Sequence, residues 1–459
     1  MNNSHSLEKI TVATVMVTSF LIAFMGSSLN VALPSMGMDF KSSALMLSWI
    51  VSSYILASAA FLLPMGRLAD LAGRRKIYLG GTILFTAFTC LCGLAWSGLS
   101  MTVFRVLQGI GASMIYATGM ALLTTVVPIY RRGRAMGLAV TAVYAGLSVG
   151  PVVGGAMCQH LGWRSIFFLT AAGGACMVGL IWLRLKGEWV GARGERFDYG
   201  GSVLYMSGLV AVLYGISTIS NGPWAKYILV AGCLLMSTFV LLQISTPHPL
   251  MNLRLFSHNV TFAFSNLAAM INYSSTFAVS FIVSLYLQVV MGFSPRTTGL
   301  ILLAQPVVMA VCSSFAGALS DRVEPRIVAS WGMGLNAAGL LLFVLLSTTT
   351  PVWLIVMNLM LIGLGYALFS SPNTNAIMGS IEERFYGVAS SMVSTMRMIG
   401  MATSMAIVTL LLTHYVGGGG LDPAHSAELM QTFRMAFIVF GLLCFLGIFA
   451  SLARGNVRS

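Results

Sequence analysis

The sequence predicts an all-α integral membrane protein of fourteen transmembrane helices, arranged as two six-helix bundles with two inserted helices between them. Three observations carry this expectation. Hydrophobic residues make up 57% of the 459 positions and charged residues only 8%, far below the roughly 25% charged content of soluble domains. Apolar runs of about 20 residues recur along the whole length, each long enough to cross roughly 30 Å of hydrocarbon as a helix. A pattern of glycine, leucine, aspartate and basic residues also occurs at the same place in the early and the late part of the chain.

The apolar runs lie at 10–33, 46–66, 77–96, 99–128, 135–158, 165–184, 200–219, 224–243, 259–290, 297–319, 327–347, 352–378, 385–413 and 433–453. The first lacks a small-residue cleavage site before the next hydrophilic stretch, which predicts an uncleaved first span rather than a secretory signal. Between the second and third runs stands GRLADLAGRRK, Gly66 to Lys76; between the second and third runs of the later half stands GALSDRVEPR, Gly317 to Arg326. Both read Gly-x-Leu-x-Asp followed by basic residues, and a duplicated bundle is the architecture of carriers whose halves rock about a site near the midplane. The hydrophilic segment Leu183 to Asp198 and the two runs after it have no counterpart in either half. The predicted organisation is therefore 1–184, a six-helix bundle; 185–256, a linker with two inserted helices; and 257–459, a second six-helix bundle. The stretch Gly417 to Gln431 is the one sizeable loop expected on the opposite side, and no soluble domain is expected.

A net charge of +13 could indicate a nucleic-acid partner, so the placement of the charges decides. Threading the runs puts eighteen Lys or Arg on one side, five on the other (Lys41, Arg164, Lys226, Arg296, Arg434) and two within spans. That asymmetry is a topological signal which places both termini in the cytoplasm. It removes the need for nucleic acid. The seven cysteines lie in or at the ends of apolar runs without a CxxC pair, which argues against a disulfide framework and a metal site. No cofactor is expected. A membrane enzyme would need a metal cluster, a nucleophile with its base, or paired carboxylates inside the bundle, and the sequence offers none.

Three motifs carry function. GRLADLAGRRK sets Asp70 between Gly66 and Gly73, beside Arg74 and Arg75, on what reads as a tight loop. The glycines let helix ends approach, and the carboxylate can accept charge-assisted hydrogen bonds that hold one conformation. Asp321 is its degenerate copy. RVLQGIGA places Arg105, Gln108 and Ala112 on one helical face, with Gly109 thinning the helix. An arginine in a span either faces a water-filled cavity as a functional group or serves as a hydrogen-bond hub for carbonyls; both roles fit Arg105. GLSVGPVVGG spaces Gly146, Gly150 and Gly154 four apart around Pro151, which permits close packing and introduces a kink or pivot.

These three strings resemble the conserved motifs of the major facilitator superfamily, the third being the one that marks its antiporters, and the resemblance spans essentially the whole chain. SSLNVALP, YLQVVMGFSP, GLGYALFSSPN and SSMVSTMRMIG further resemble the fourteen-helix drug:proton antiporter family. The resemblance implies a secondary transporter that exports small lipophilic, often cationic, molecules. Its implied partners are a small-molecule substrate, the lipid bilayer and, if the likeness holds in full, protons, with the monomer as the working unit. One position departs. The family pattern carries an aspartate nine residues before the proline of NVALP, and here that position is Met25.

All twelve acidic residues fall outside the apolar runs, and the six histidines sit in tails, loops or run ends. An intramembrane relay acid is thus missing, whereas Arg105 and Arg397 lie within runs. Two readings stay open: a boundary carboxylate such as Asp39 or Asp70 handles protons, or the cavity is positive and prefers neutral, zwitterionic or anionic cargo. Candidate cargo-facing residues are Met25, Asn30, Tyr54, Tyr144, Asn272, Tyr273, Tyr286 and Gln288, each of the polar ones serving equally as an interhelical hydrogen bond. Pro372, Asn373 and Asn375 are expected to interrupt the twelfth span.

Overall fold

In hydrocarbon a backbone N–H or C=O has no water to bond, so an apolar run satisfies its main chain as a helix. The computed structural model describes residues 2–192, 194–251, 253–381, 386–417 and 426–455, and no strand occurs among them. The first bundle comprises α1 (Asn2–Phe40), α2 (Ala44–Ala72), α3 (Arg74–Gly93), α4 (Gly98–Val126), α5 (Ile129–Leu161) and α6 (Arg164–Arg184). The inserted pair is α7 (Tyr199–Thr218) and α8 (Pro223–Ser245), followed by the short α9 (Arg254–His258). The second bundle comprises α10 (Val260–Thr276), α11 (Val279–Leu285), α12 (Pro295–Leu302), α13 (Ala304–Ser320), α14 (Pro325–Leu342), α15 (Val352–Gly379), α16 (Tyr386–Tyr415) and α17 (Ser426–Ala453). Taken as spans, with α10–α11 and α12–α13 each counted once, fourteen stretches are long and apolar enough to cross a membrane.

Two spans are broken for identifiable reasons. Pro306 has no N–H to offer the Leu302 carbonyl, and the tenth span divides at Leu303 into α12 and α13. In the ninth, the Ala278 N–H donates to Ser404 Oγ of α16 at 3.1 Å, and a turn separates α10 from α11. Pro372, by contrast, interrupts nothing: α15 runs through it to Gly379, and Asn373 and Asn375 donate side-chain hydrogen bonds to Ser265 O and Ser320 Oγ. The Gly66–Lys76 segment is also less of a loop than its glycines suggest. Helix α2 continues through Asp70 to Ala72, and Gly73 alone, at φ 116°, makes the turn into α3.

Small residues bring the helices together. Gly146, Gly150 and Gly154 of α5 face α1, where a Cβ at Gly154 would lie 2.6 Å from Ser28 Cβ. The opposite side of the same helix meets the second bundle. A Cβ at Gly155 would lie 2.5 Å from the Pro295 carbonyl oxygen, and one at Gly299 would lie 2.0 Å from that of Pro151. The α7–α8 hairpin packs through Gly208, Gly215 and Gly232. Its α7 lies against both α2 and α16, with the Tyr205 hydroxyl donating to Ala59 O at 3.0 Å.

Because the helices alternate in direction, the molecule has two polar faces. One, here the basic face, carries the α2–α3 and α13–α14 connections and the segment between α6 and α7. Four hydrogen bonds that join the two halves lie toward the other face. Ser52 and Ser48 of α2 meet Thr409 of α16 at 3.4 and 3.1 Å, Ser284 donates to Asn30 O at 2.6 Å, and Gln288 donates to Val31 O at 3.0 Å.

Close packing of α1 on α5 predicts that Gly154→Val lowers stability by about 1–3 kcal/mol through overpacking. Gly137→Ala, in the same helix with nothing within 4 Å of the added carbon, is expected to leave stability unchanged or slightly raised. Thermal melting of the purified variants checks the pair; equal melting of Gly154→Val and wild type would contradict the packing.

Candidate functional site

A polar cluster within the spans grows from α4. Arg105 is 2% exposed, and its guanidinium donates through Nε to Ile50 O of α2 at 3.2 Å and through an Nη to Gln108 Oε1 at 2.5 Å. Gln108 in turn donates to Thr89 Oγ1 of α3 at 2.6 Å. The cation also stands 4.1 Å over the Tyr54 ring. Gly109 makes this possible, since a Cβ there would come within 2.4 Å of the Tyr54 carbonyl oxygen. Arg105 thus links α2, α3 and α4, and burying it is tolerable because its donors are engaged.

From Tyr54 the polar chain continues toward the second bundle. Tyr116 of α4 lies beside Tyr54, within reach of its hydroxyl. Arg397 of α16 holds its guanidinium carbon 5.9 Å from the Tyr116 ring centre. Tyr273 of α10 is within hydrogen-bonding reach of the same guanidinium, and Tyr366 of α15 faces it. The Tyr273 and Tyr366 rings meet edge to face at 5.6 Å. Tyr144 of α5 completes the group beside Ser313 and Ser370. All five tyrosines and Arg397 are only half-buried although each stands well inside its membrane span, so they border open space inside the bundle. Every described carboxylate stands at a helix end or in the linker, so none enters this cluster.

Of the residues singled out from sequence as lying within spans, Tyr54, Tyr144, Tyr273 and Arg397 join this cluster, with Arg105 and Gln108 behind it. The others lie elsewhere. Met25 is 1% exposed and packed in the core. Asn30 and Gln288 belong to the contact between halves. Asn272 accepts from Asn336 Nδ2 at 3.0 Å within the second bundle, and the Tyr286 hydroxyl donates to Ser347 O at 2.6 Å. Tyr116 and Tyr366 were not singled out. Tyr366 lies within GLGYALFSSPN and Tyr116 just past RVLQGIGA, but neither string says which way its tyrosine faces, so only the placement of their helices brings them to Arg397.

A second site lies at the basic face. The Asp70 carboxylate accepts from Arg74 Nε at 2.9 Å, and its backbone carbonyl accepts from Gly191 and Ala192 N–H at 2.9 and 3.0 Å. The Arg74 N–H donates to Trp189 O, the Arg75 N–H donates to Glu188 Oε1 at 2.9 Å, and the Arg75 side chain donates to Leu185 O. The linker is therefore strapped onto the α2–α3 turn. Arg67 pairs with Glu195, and that guanidinium, aided by His248, holds the Glu195 carboxyl below the usual carboxylate range. Gly66 faces Ala117 at ordinary contact distance. Asp321 stands exposed at the end of α13. Arg454, which no motif marked, is buried beside Ser265, Asn373 and Ser451 and joins α10, α15 and α17.

Gly73 tests this strap. A side chain there meets both a backbone region that L-residues avoid and the Glu188 carboxyl, 2.4 Å from the added carbon. Gly73→Ala is expected to cost about 1–3 kcal/mol, and combining it with Glu188→Ala should recover only the part due to contact. Melting curves of the two single variants and the double variant check this; a Gly73→Ala protein as stable as wild type would show that the turn does not need glycine.

Comparison with known proteins fits this geometry. The family model described as Major Facilitator Superfamily matches residues 15–266 and 265–457. The chain is 26% identical over 439 residues to the riboflavin transporter RibZ of Clostridioides difficile, covering 96% of each protein. It is 30% identical over 424 residues to the multidrug resistance protein Stp of Mycobacterium tuberculosis, covering 91% of this chain and 77% of that one. Among solved structures, a bacterial homologue of the human lysosomal transporter Spinster superposes with a TM-score of 0.70 at 15% identity, over 98% of this chain and 97% of that one. With its two bundles, its paired signature segments and a family match over nearly its full length, the chain belongs to the major facilitator superfamily.

Proposed function

We propose that this protein is a secondary active transporter of the cell membrane that exports small lipophilic molecules, of the multidrug efflux type, by alternating access. The cluster of hydrogen bonds between the halves toward the outer face carries this reading. The basic face is cytoplasmic by the positive-inside rule, with both termini on that side. The arginine–tyrosine cluster then faces the cytoplasm, with the outer face held by the Ser52–Thr409 and Ser284–Asn30 contacts. That is where an exporter collects cargo. The relative named as a multidrug resistance protein supports the direction. Pro151, set in the surface of α5 that meets α12, supports a rocking exchange of cargo against a counter-ion.

A second reading is a carrier of neutral or anionic metabolites that does not couple through a carboxylate in the membrane. Two observations favour it: no described carboxylate stands in the cluster, and the relative named as a riboflavin transporter aligns with this chain almost end to end.

Solute counterflow in proteoliposomes separates the two. Export of the efflux type predicts saturable counterflow of lipophilic aromatic compounds, accelerated by an imposed pH gradient when protons are the exchanged ion. The second reading predicts counterflow of riboflavin at a rate indifferent to that gradient. Absence of saturable counterflow for every probe contradicts both.

A further inference from the structure

Resting on the transporter reading, we propose that Arg397 and the tyrosines facing it form the cargo site, and that its cargo is a flat aromatic molecule bearing an anionic oxygen, such as a carboxylate or an ionised phenol. Tyr116 and Tyr144 belong to the first bundle, and Tyr273, Tyr366 and Arg397 belong to the second. All five stand well inside their membrane spans. A ligand held by them therefore touches both halves at the depth about which the halves rock.

Arg105 and Arg397 differ in what remains for a ligand. Arg105 is occupied by Ile50 O, Gln108 and the Tyr54 ring, and it is closed off from the open space. Arg397 is half-buried, its Nε is without a hydrogen-bond partner, and no described carboxylate pairs with it. The groups that face it are tyrosines, whose hydroxyls can donate to an anionic oxygen and whose rings can stack on a flat ligand. A planar guanidinium adds both a forked donor and a stacking surface. A cationic cargo, by contrast, would meet a fixed positive charge with nothing acidic beside it.

Binding to the purified, intact transporter tests this without requiring transport. The probes share one ring system: 9-anthracenecarboxylate, the neutral 9-anthracenemethanol and the cationic 9-anthracenemethylamine, with cyclohexanecarboxylate as the non-aromatic anion. Wild type is expected to bind the aromatic carboxylate about tenfold or more tightly than the alcohol, the size of effect expected of hydrogen bonds to a charged group. It should bind the amine and the cyclohexane acid more weakly still. Arg397→Gln should abolish the preference for carboxylate over alcohol, weakening carboxylate binding far more than alcohol binding, and Arg397→Lys should keep part of the preference. Amine binding as tight as carboxylate binding in wild type overturns the proposal, as does an unchanged ratio in Arg397→Gln. If Arg397→Gln does not fold, the wild-type ranking decides alone. Anion-selective binding without counterflow would leave this site standing and contradict the exporter reading; counterflow without anion selectivity would do the reverse.

Discussion

A guanidinium buried among helices in lipid must be answered by the protein itself, and much of this architecture can be traced to how that requirement is met. Arg105 reaches the Ile50 carbonyl only because Gly109 lets α4 close on α2, and Gln108 carries the same network to Thr89 of α3. Three helices of the first bundle are tied at one point. The Tyr54 ring over the cation then sets where Tyr116 stands, and through Tyr116 the first bundle meets Arg397 of the second. One arginine is satisfied within its bundle. The other leaves capacity at the boundary between bundles, and on that difference rests the proposal that one serves structure and the other cargo.

Helix α5 serves the boundary in another way. Its glycines at 146, 150 and 154 lock onto α1, whereas Pro151 and Gly155 on another side of the helix touch the start of α12. A single helix thus carries a permanent contact and a contact between halves. The first favours moving with its own bundle; the second is where the bundles part. At the basic face the linker adds a restraint of its own, since its backbone and Glu188 are bonded to the α2–α3 turn rather than hanging free.

The spans were legible in the sequence because lipid enforces hydropathy and length, and the doubled Gly-x-Leu-x-Asp pattern disclosed the two bundles. Helix ends were less legible: α2 outruns its apolar run to Ala72, because leucines and alanines continue to favour a helix until Gly73. The site was legible only in part. Tyr54, Tyr144, Tyr273 and Arg397 stood out as polar groups in apolar runs, but so did Asn272 and Tyr286, which turn to partners inside their own bundle. Which way a polar side chain faces depends on the rotation of its helix against neighbours distant in sequence. For the same reason Tyr116, just past RVLQGIGA, and Tyr366, inside GLGYALFSSPN, gave no sign of facing Arg397 until the helices were placed. The missing acid at Met25 was visible against the pattern of the family the sequence resembles, whereas its consequence, a cluster of arginine and tyrosine without a carboxylate, needed the fold.

The account requires that the contacts at the face opposite the basic one open and close during turnover. Ser52 and Thr409 place their hydroxyls 3.4 Å apart across that contact. In a background with the seven native cysteines replaced, Ser52→Cys combined with Thr409→Cys should form a disulfide on oxidation, stop counterflow in proteoliposomes, and regain it on reduction. Full counterflow with the crosslink complete would contradict alternating access through that face.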